Sequence, residues 1–448
     1  MTRQRAVLTL GLFGLALWFV VAPAARAQPG GDPQPPFALV VVAPDAKDLA
    51  RGRIARPVFR GDGRFLLAKY SGAATLWNVE SGRLVRTFEG HQSVIHSVAF
   101  SPDERLVLTA AGNPDPYRLP GRWDFTARLW DVATAKEIGA LEEFPGPLYE
   151  ARFSPDGRQI VTLCRSHPVE TTTVLELWNA ETRERQFELT GISVITPPRS
   201  TTRPRVRSAV QFSPRGDSIV AASAVALRLW DATTGESIWH VGRKGDKAES
   251  PESETSGEDR SPMMGRLWAV HGVEFSPDGK RVLVACRVKS HEGELAAGAV
   301  ALDSATGRLI RAWLAEDAEP VDATFCDTGR QVMTATSEGI VRLWDTTSGS
   351  EIRRFEHAGP IDEMAVGGDG ARMTTKWRSR DEGDEEWRWF ASLWDVTTGR
   401  ELRRFELGPE SIRGLTLSPD GRRILANVRD GEVLLLDGET GETIRKYE

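Results

Sequence analysis

Apolar and polar residues alternate with a period of two in short runs along most of the chain. Examples are "VIHSVAF" at 94–100, "RLVLTA" at 105–110 and "RLVRTFEG" at 83–90. Each run stops at a cluster of Gly, Pro, Asp or Ser, so the pattern predicts strands joined by tight turns. The runs follow a fixed sequence. An alternating strand ends in a turn, seen as "FRGDG" at 59, "FSPDE" at 100, "FSPDG" at 153, "FSPRG" at 212, "FSPDG" at 275, "FCDTG" at 325, "VGGDG" at 366 and "LSPDG" at 417. A second strand follows, then a third ending at Trp77-Asn78, Trp130-Asp131, Trp178-Asn179, Trp230-Asp231, Leu302-Asp303, Trp344-Asp345, Trp394-Asp395 or Leu436-Asp437. A polar turn and a fourth strand complete the unit. In six copies Gly82, Gly235, Gly307, Gly349, Gly399 or Gly441 lies five residues after the Trp or Leu, where a hairpin needs positive φ.

Eight copies of a four-strand unit, with no helical period between them, predict an all-β repeat architecture over 53–448. The motif resembles the WD-repeat β-propeller family over nearly all of that span. The resemblance implies a single β-propeller of four-stranded antiparallel blades, eight in number, with a seven-bladed ring and one displaced unit as the alternative. It also implies a buried hydrogen-bonded tetrad in blade 2, formed by His91, Thr109, Asp124 and Trp130. Elsewhere the tetrad is eroded: Glu338, Ala224 and Ser71 stand at the Asp position of blades 6, 4 and 1.

The lengths between motifs carry the functional signal. From the first turn to the Trp position, blades 1, 4, 6 and 8 use 14 or 15 residues, whereas blades 2, 3, 5 and 7 use 21 to 26. The extra residues lie between the second and third strands. Two further insertions, after Trp178 and Trp230, belong to crossovers between blades. In an antiparallel blade both kinds of connection leave by the same face, so all elaboration falls on one face of the ring, where binding is expected. Two of these segments, 196–205 and 242–262, are polar, Pro-containing and poor in core-forming residues, and read as solvated loops.

Two columns of residues map to that face. Seven positions before the Trp, blades 7, 8, 1 and 2 carry Trp387, Arg429, Tyr70 and Trp123, with Trp389 following on the Trp387 strand face. Four positions before the first-turn Phe, the same blades carry Asp362, Arg413, Ala55 and His96. Aromatic residues and arginines anchor interfaces. The expected partner-binding set is therefore Tyr70, Trp123, Trp387, Trp389, Arg429, His96, Asp362 and Arg413, arranged as one arc.

Composition narrows the function. The chain is 40% hydrophobic and 27% charged with a formal net charge of −6, which offers little to a nucleic-acid backbone. The first 27 residues place Arg3 and Arg5 before an apolar run, Ala6 to Ala22, and end in Ala25-Arg26-Ala27, the pattern of an export signal. Its alternative is an uncleaved membrane anchor. Residues 28–52 read as a linker carrying a strand at 37–42 that could help to close the ring. Cys164, Cys286 and Cys326 are too few and scattered for a disulfide framework and read as small buried hydrophobes. No phosphate loop, nucleophile elbow or zinc motif is present. "SHEGE" at 290–294 and "DEGDEE" at 381–386 lack the spacing of metal ligands. The sequence thus points to a monomeric, cofactor-free, non-catalytic scaffold outside the cytoplasm that binds a protein or peptide. The competing expectation is a small-ligand or carbohydrate site, or an enzyme, at the mouth of the central channel, using groups such as His96, His271 and Asp362.

Overall fold

The computed structural model describes residues 55–70, 72–112, 124–166, 173–190, 210–223, 226–242, 267–289, 295–316, 318–368, 370–380, 386–409, 412, 414–428 and 433–447. The export signal, the linker and the strand at 37–42 lie outside them, as do Trp123, Arg413 and Arg429. A compact unit spans Gly52–Glu448. It is an eight-bladed β-propeller, with blades at 55–89, 95–141, 148–189, 210–242, 267–316, 320–356, 361–408 and 414–447. The seven-bladed alternative is ruled out, because each of the eight units forms its own antiparallel sheet in chain order.

The first strands pack against those of the neighbouring blades, so they line the centre and the fourth strands form the rim. Eight buried hydrophobic clusters fill the structure, one at each junction between consecutive blades. The last of them joins Phe59, Leu66 and Val79 of blade 1 to Leu425, Val433 and Tyr447 of blade 8. Tyr447 also meets Trp77 edge-on at 5.7 Å, and its hydroxyl donates to the Val79 carbonyl at 3.4 Å. Among the described residues no blade takes a strand from both ends of the chain, so side-chain packing shuts the ring.

The recurrent Asp or Asn after the Trp is a turn cap. Its side-chain oxygen accepts the backbone N–H three residues on in all eight blades, at 2.6 to 2.9 Å, as an Asx turn does. The six glycines that close these turns have φ between +65° and +84°. The two blades that lack the Gly adopt the same conformation at Ala135 (φ 57°) and Arg183 (φ 64°).

The residue nine after the Trp, on the fourth strand, reaches across this turn in the next blade. Arg86, Arg311, Arg353, Arg403 and Arg445 donate to the carbonyls of Ala133, of Ser348 and Thr347, of Thr398, of Glu439 and of Glu80. Trp239 does the same through its indole N–H, 2.9 Å from the Ser304 carbonyl. The residue just before, eight after the Trp, is the extra residue of a β-bulge in every blade. Five of these residues, Ile138, Ile238, Ile310, Ile352 and Ile444, are therefore 40 to 49% exposed. Kinked edges of this kind do not accept another strand.

The tetrad of blade 2 is formed. His91 Nδ1 meets Asp124 Oδ2 at 2.9 Å, His91 Nε2 meets Thr109 Oγ1 at 2.7 Å, and Trp130 Nε1 donates to the same hydroxyl at 2.9 Å. Burial alone would raise the Asp124 carboxyl, but hydrogen bonds from His91 and Thr126 outweigh it and bring its pKa down to about 2. Blade 7 keeps more of the tetrad than its sequence suggests. His357 Nε2 lies 2.7 Å from Thr375 Oγ1, and Trp394 donates to that hydroxyl at 3.2 Å, while the Gly339 carbonyl replaces the carboxylate at 3.0 Å. All three cysteines are buried and unbridged, with burial pushing the Cys286 and Cys326 thiols up to about 12.

Candidate functional site

In blades 2, 3, 5, 6 and 7 the first strand carries one residue more than its partner near its start. That extra residue is His96, Tyr149, His271, Val321 and Asp362. The column four before the first-turn Phe is therefore a column of β-bulges, and a bulge re-aims its side chain out of the ladder. The bulges sit at the end of each first strand that faces the long connections. There one strand pair ends at Ala111 and resumes at Ala127, and another ends at Ser379 and resumes at Arg388.

Across blades 1 to 3 the bulge residues meet. Lys69 Nζ donates to the His96 carbonyl, and His96 Nε2 donates to the Gly112 carbonyl at 2.8 Å. The His96 ring lies 5.9 Å from Tyr149, and Arg165 stacks over Tyr149 at 5.6 Å. Burial, then the Lys69 charge, lowers the His96 pKa to about 4, so the imidazole is neutral at pH 7. The Tyr149 hydroxyl is buried with no partner. The cluster thus combines two cations, an uncharged imidazole and a buried hydroxyl. Tyr149 was missed because the first-strand column was read only in blades 7, 8, 1 and 2; continuing it one blade further would have found it.

Across the ring, His271 is 5% exposed and its Nε2 has no partner. Burial and then Arg287 bring its pKa to about 4, while Arg287 pairs with Glu319 at 2.5 Å. Asp362 is exposed on blade 7. Among the described residues no hydrogen bond or ion pair joins His96, His271 and Asp362. Among the described residues no cluster of His, Cys, Asp and Glu is disposed to hold a metal ion.

Blade 7 carries an alternating stack of cations and rings. Lys376 lies over Trp389 at 5.2 Å, Arg378 over Trp389 at 5.6 Å and over Trp387 at 4.8 Å, and Arg380 over Trp387 at 5.0 Å. Trp387 is half-buried at the top of the stack. Trp389 corrects the sequence reading: it is 7% exposed and packs with Ile412 and Leu415 of blade 8, so it is a core residue and gives a partner no surface.

The column seven before the Trp is also not one structural position. Tyr70 closes the second strand of blade 1 (Phe65–Tyr70), Ser337 lies in the hairpin of blade 6, and Trp387 directly precedes the third strand of blade 7 (Arg388–Asp395). Short hairpins bring the count back across the turn, whereas long ones leave it on the third strand. The described residues give two groups, His96 with Tyr149 and the stack below Trp387, while Trp123, Arg413 and Arg429 of the expected arc lie outside them.

A family model described as WD domain, G-beta repeat matches residues 82–131. Eukaryotic translation initiation factor 3 subunit I of Scheffersomyces stipitis is 29% identical over 40% of this chain and 47% of its own length. Rat Jouberin is 22% identical over 66% of this chain and 25% of its own. An uncharacterised WD repeat-containing protein of Synechocystis is 31% identical over 22% of this chain and 26% of its own. The chain thus spans under half the length of these curated relatives. Among solved structures, the C-terminal WD40 domain of Sif2 superposes with a TM-score of 0.60 at 14% identity, covering 84% of this chain and 93% of that one. The computationally designed Ika8 protein gives 0.59 at 17% identity, covering 86% and 96%.

Proposed function

The chain belongs to the WD-repeat β-propeller family, and on that premise we propose that it is a non-catalytic scaffold that binds a protein or peptide across the face carrying the long connections. One observation carries this reading: every long connection leaves the ring at the end where the first-strand bulges present His96, Tyr149 and Asp362 and where Arg378 and Arg380 hold Trp387. Tryptophan and arginine held rigidly before binding lose little entropy on contact, which is what an interface anchor requires. The matched relatives, among them a subunit of a translation initiation factor, support a role in assembly. We place this role outside the cytoplasm on the strength of the charged, apolar and small-residue pattern of 1–27.

The test is capture from the cell envelope by tagged chain, compared with a variant carrying Trp123→Ala, Trp387→Ala and Arg429→Ala together. Loss of specific partners from the variant supports the reading. Retention of every partner overturns it, and binding of a sugar or metabolite that involves no protein would move the site to the channel mouth. Sequencing the N-terminus of the exported protein tests location, with Gln28 as the expected first residue.

A further inference from the structure

The residue two before the repeat Trp and the residue seven after it lie on one face of adjacent strands, and where the first is charged the second answers it. Arg128 meets Glu137 at 2.9 Å in blade 2, and Arg342 meets Glu351 at 3.5 Å in blade 6. Blade 3 inverts the pair, with buried Glu176 held by Arg185 at 2.8 Å. Blade 4 breaks the rule. Arg228 is 5% exposed, yet Ser237 stands where the carboxylate should be, and its hydroxyl accepts from Arg228 Nη1 at 3.3 Å.

The Arg228 Nε is buried without a partner, and among the described residues no carboxylate forms an ion pair with this guanidinium. Burial lowers its proton affinity, and no counter-charge among the described residues offsets this. An uncompensated buried charge costs several kcal/mol. The fold has supplied the missing charge in three sister blades, so its absence here is specific to this position. Ser237 and His240 are exposed and flank Arg228 on the fourth strand, His240 directly opposite it across the ladder. Serine is shorter than the glutamate that stands at this position in blades 2 and 6.

We propose that Arg228, Ser237 and His240 form a binding site for a small oxyanion, a phosphate or a carboxylate, on the side of blade 4 that faces blade 3. The anion takes the position of the missing glutamate carboxylate, accepting from the guanidinium, the Ser237 hydroxyl and the imidazole N–H. The site uses none of His96, Tyr149, Asp362 or Trp387, so its test and that of the scaffold reading can fail separately.

The decisive experiment titrates the full chain with inorganic phosphate and, separately, with acetate, using chloride at matched ionic strength as the control. His240 is followed by NMR of histidine-labelled protein, and melting is followed in parallel. The wild type should show a saturable His240 shift and a rise in Tm that chloride does not give. Ser237→Glu fills the site from within. It should melt higher than the wild type without anion and bind phosphate at least about tenfold more weakly. Arg228→Met should abolish the response, but the outcome does not depend on its folding, because Ser237→Glu retains the arginine. Equal responses to phosphate, acetate and chloride, or an unchanged phosphate response in Ser237→Glu, overturn the site. Acetate binding without phosphate binding identifies a carboxylate site, and the reverse identifies a phosphate site.

Discussion

Arg183, in the turn of blade 3, lies across Gly139 on the fourth strand of blade 2, so that a Cβ on Gly139 would stand 2.7 Å from the arginine Cδ. At the six glycine-closed turns the large residue is on the fourth strand and the glycine is in the turn, as with Trp239 over Gly307 or Arg353 over Gly399. The two roles have been exchanged at this junction, and the side-chain volume between the blades is kept. The exchange forces Arg183 into a left-handed conformation that costs about 1–2 kcal/mol for a residue with a Cβ.

A double-mutant cycle tests this compensation. Gly139→Arg alone should destabilise by about 1–3 kcal/mol through overpacking. In the presence of Arg183→Gly the same change should be tolerated, giving a coupling of about 1 kcal/mol or more in urea midpoints. Additive effects would show that the two positions are independent. Ala135→Gly, which relieves φ with no exchange of partners, should stabilise by about 1 kcal/mol.

The junction between blades 8 and 1 should be the point where the ring is most easily opened. Tyr447 is 3% exposed and packs on Trp77. Tyr447→Ala should cost about 3 kcal/mol and open blade 1 to proteases, whereas Tyr447→Phe, losing a hydrogen bond of 3.4 Å, should cost under about 1 kcal/mol. Equal losses from both would place the contribution in the hydroxyl.

Acid should weaken the fold in two stages. His271 and His357 have their ordinary pKa of 6.5 lowered to about 4, mainly by burial. The unfolded chain therefore binds more protons than the fold between these values. Stability is complete above pH 6.5 and falls toward pH 4, by about 3 kcal/mol for buried His271. Asp124 acts lower: its contribution is present above 3.8 and is lost as pH falls to about 2. Urea midpoints between pH 8 and pH 2 should show both stages, and His271→Gln should make the first smaller, leaving the part that His357 contributes. A midpoint that stays level from pH 7 to 4.5 would contradict the burial of neutral histidines.

Cys164, Cys286 and Cys326 are buried thiols with raised pKa, and should not react with a disulfide reagent at pH 8 until the chain is unfolded. Stoichiometric labelling of the native protein within minutes would contradict this.

The repeat made the architecture legible. Trp130 and Asp131 stand out because the same covalent unit must solve the same packing and turn problem eight times, and the turn cap at Asp131 is a local interaction that sequence spacing records directly. The junctions between blades were less visible. Arg183 and Gly139 lie in different repeats, and their match appears only when the positions nine and five after the Trp are compared between neighbours. The candidate site was less legible still, because hairpin length decides which strand a counted position falls on. Tyr70 and Trp387 share a count but not a place. Trp389 shares a strand face with Trp387 in the sequence and is core, since blade 8 covers it.

Among the described residues every blade is cut from one uninterrupted stretch of chain, and the first and last blades meet through side chains. The ring therefore has no structurally privileged starting point. A chain rearranged to begin at Ile95 and end at Glu89, with a linker joining 447 to 55, would contain the same eight sheets and the same eight junctions in the same cyclic order. The positions of the two termini are then a property of the gene rather than of the fold, and either end of any blade is a place where another domain can be joined without interrupting a sheet.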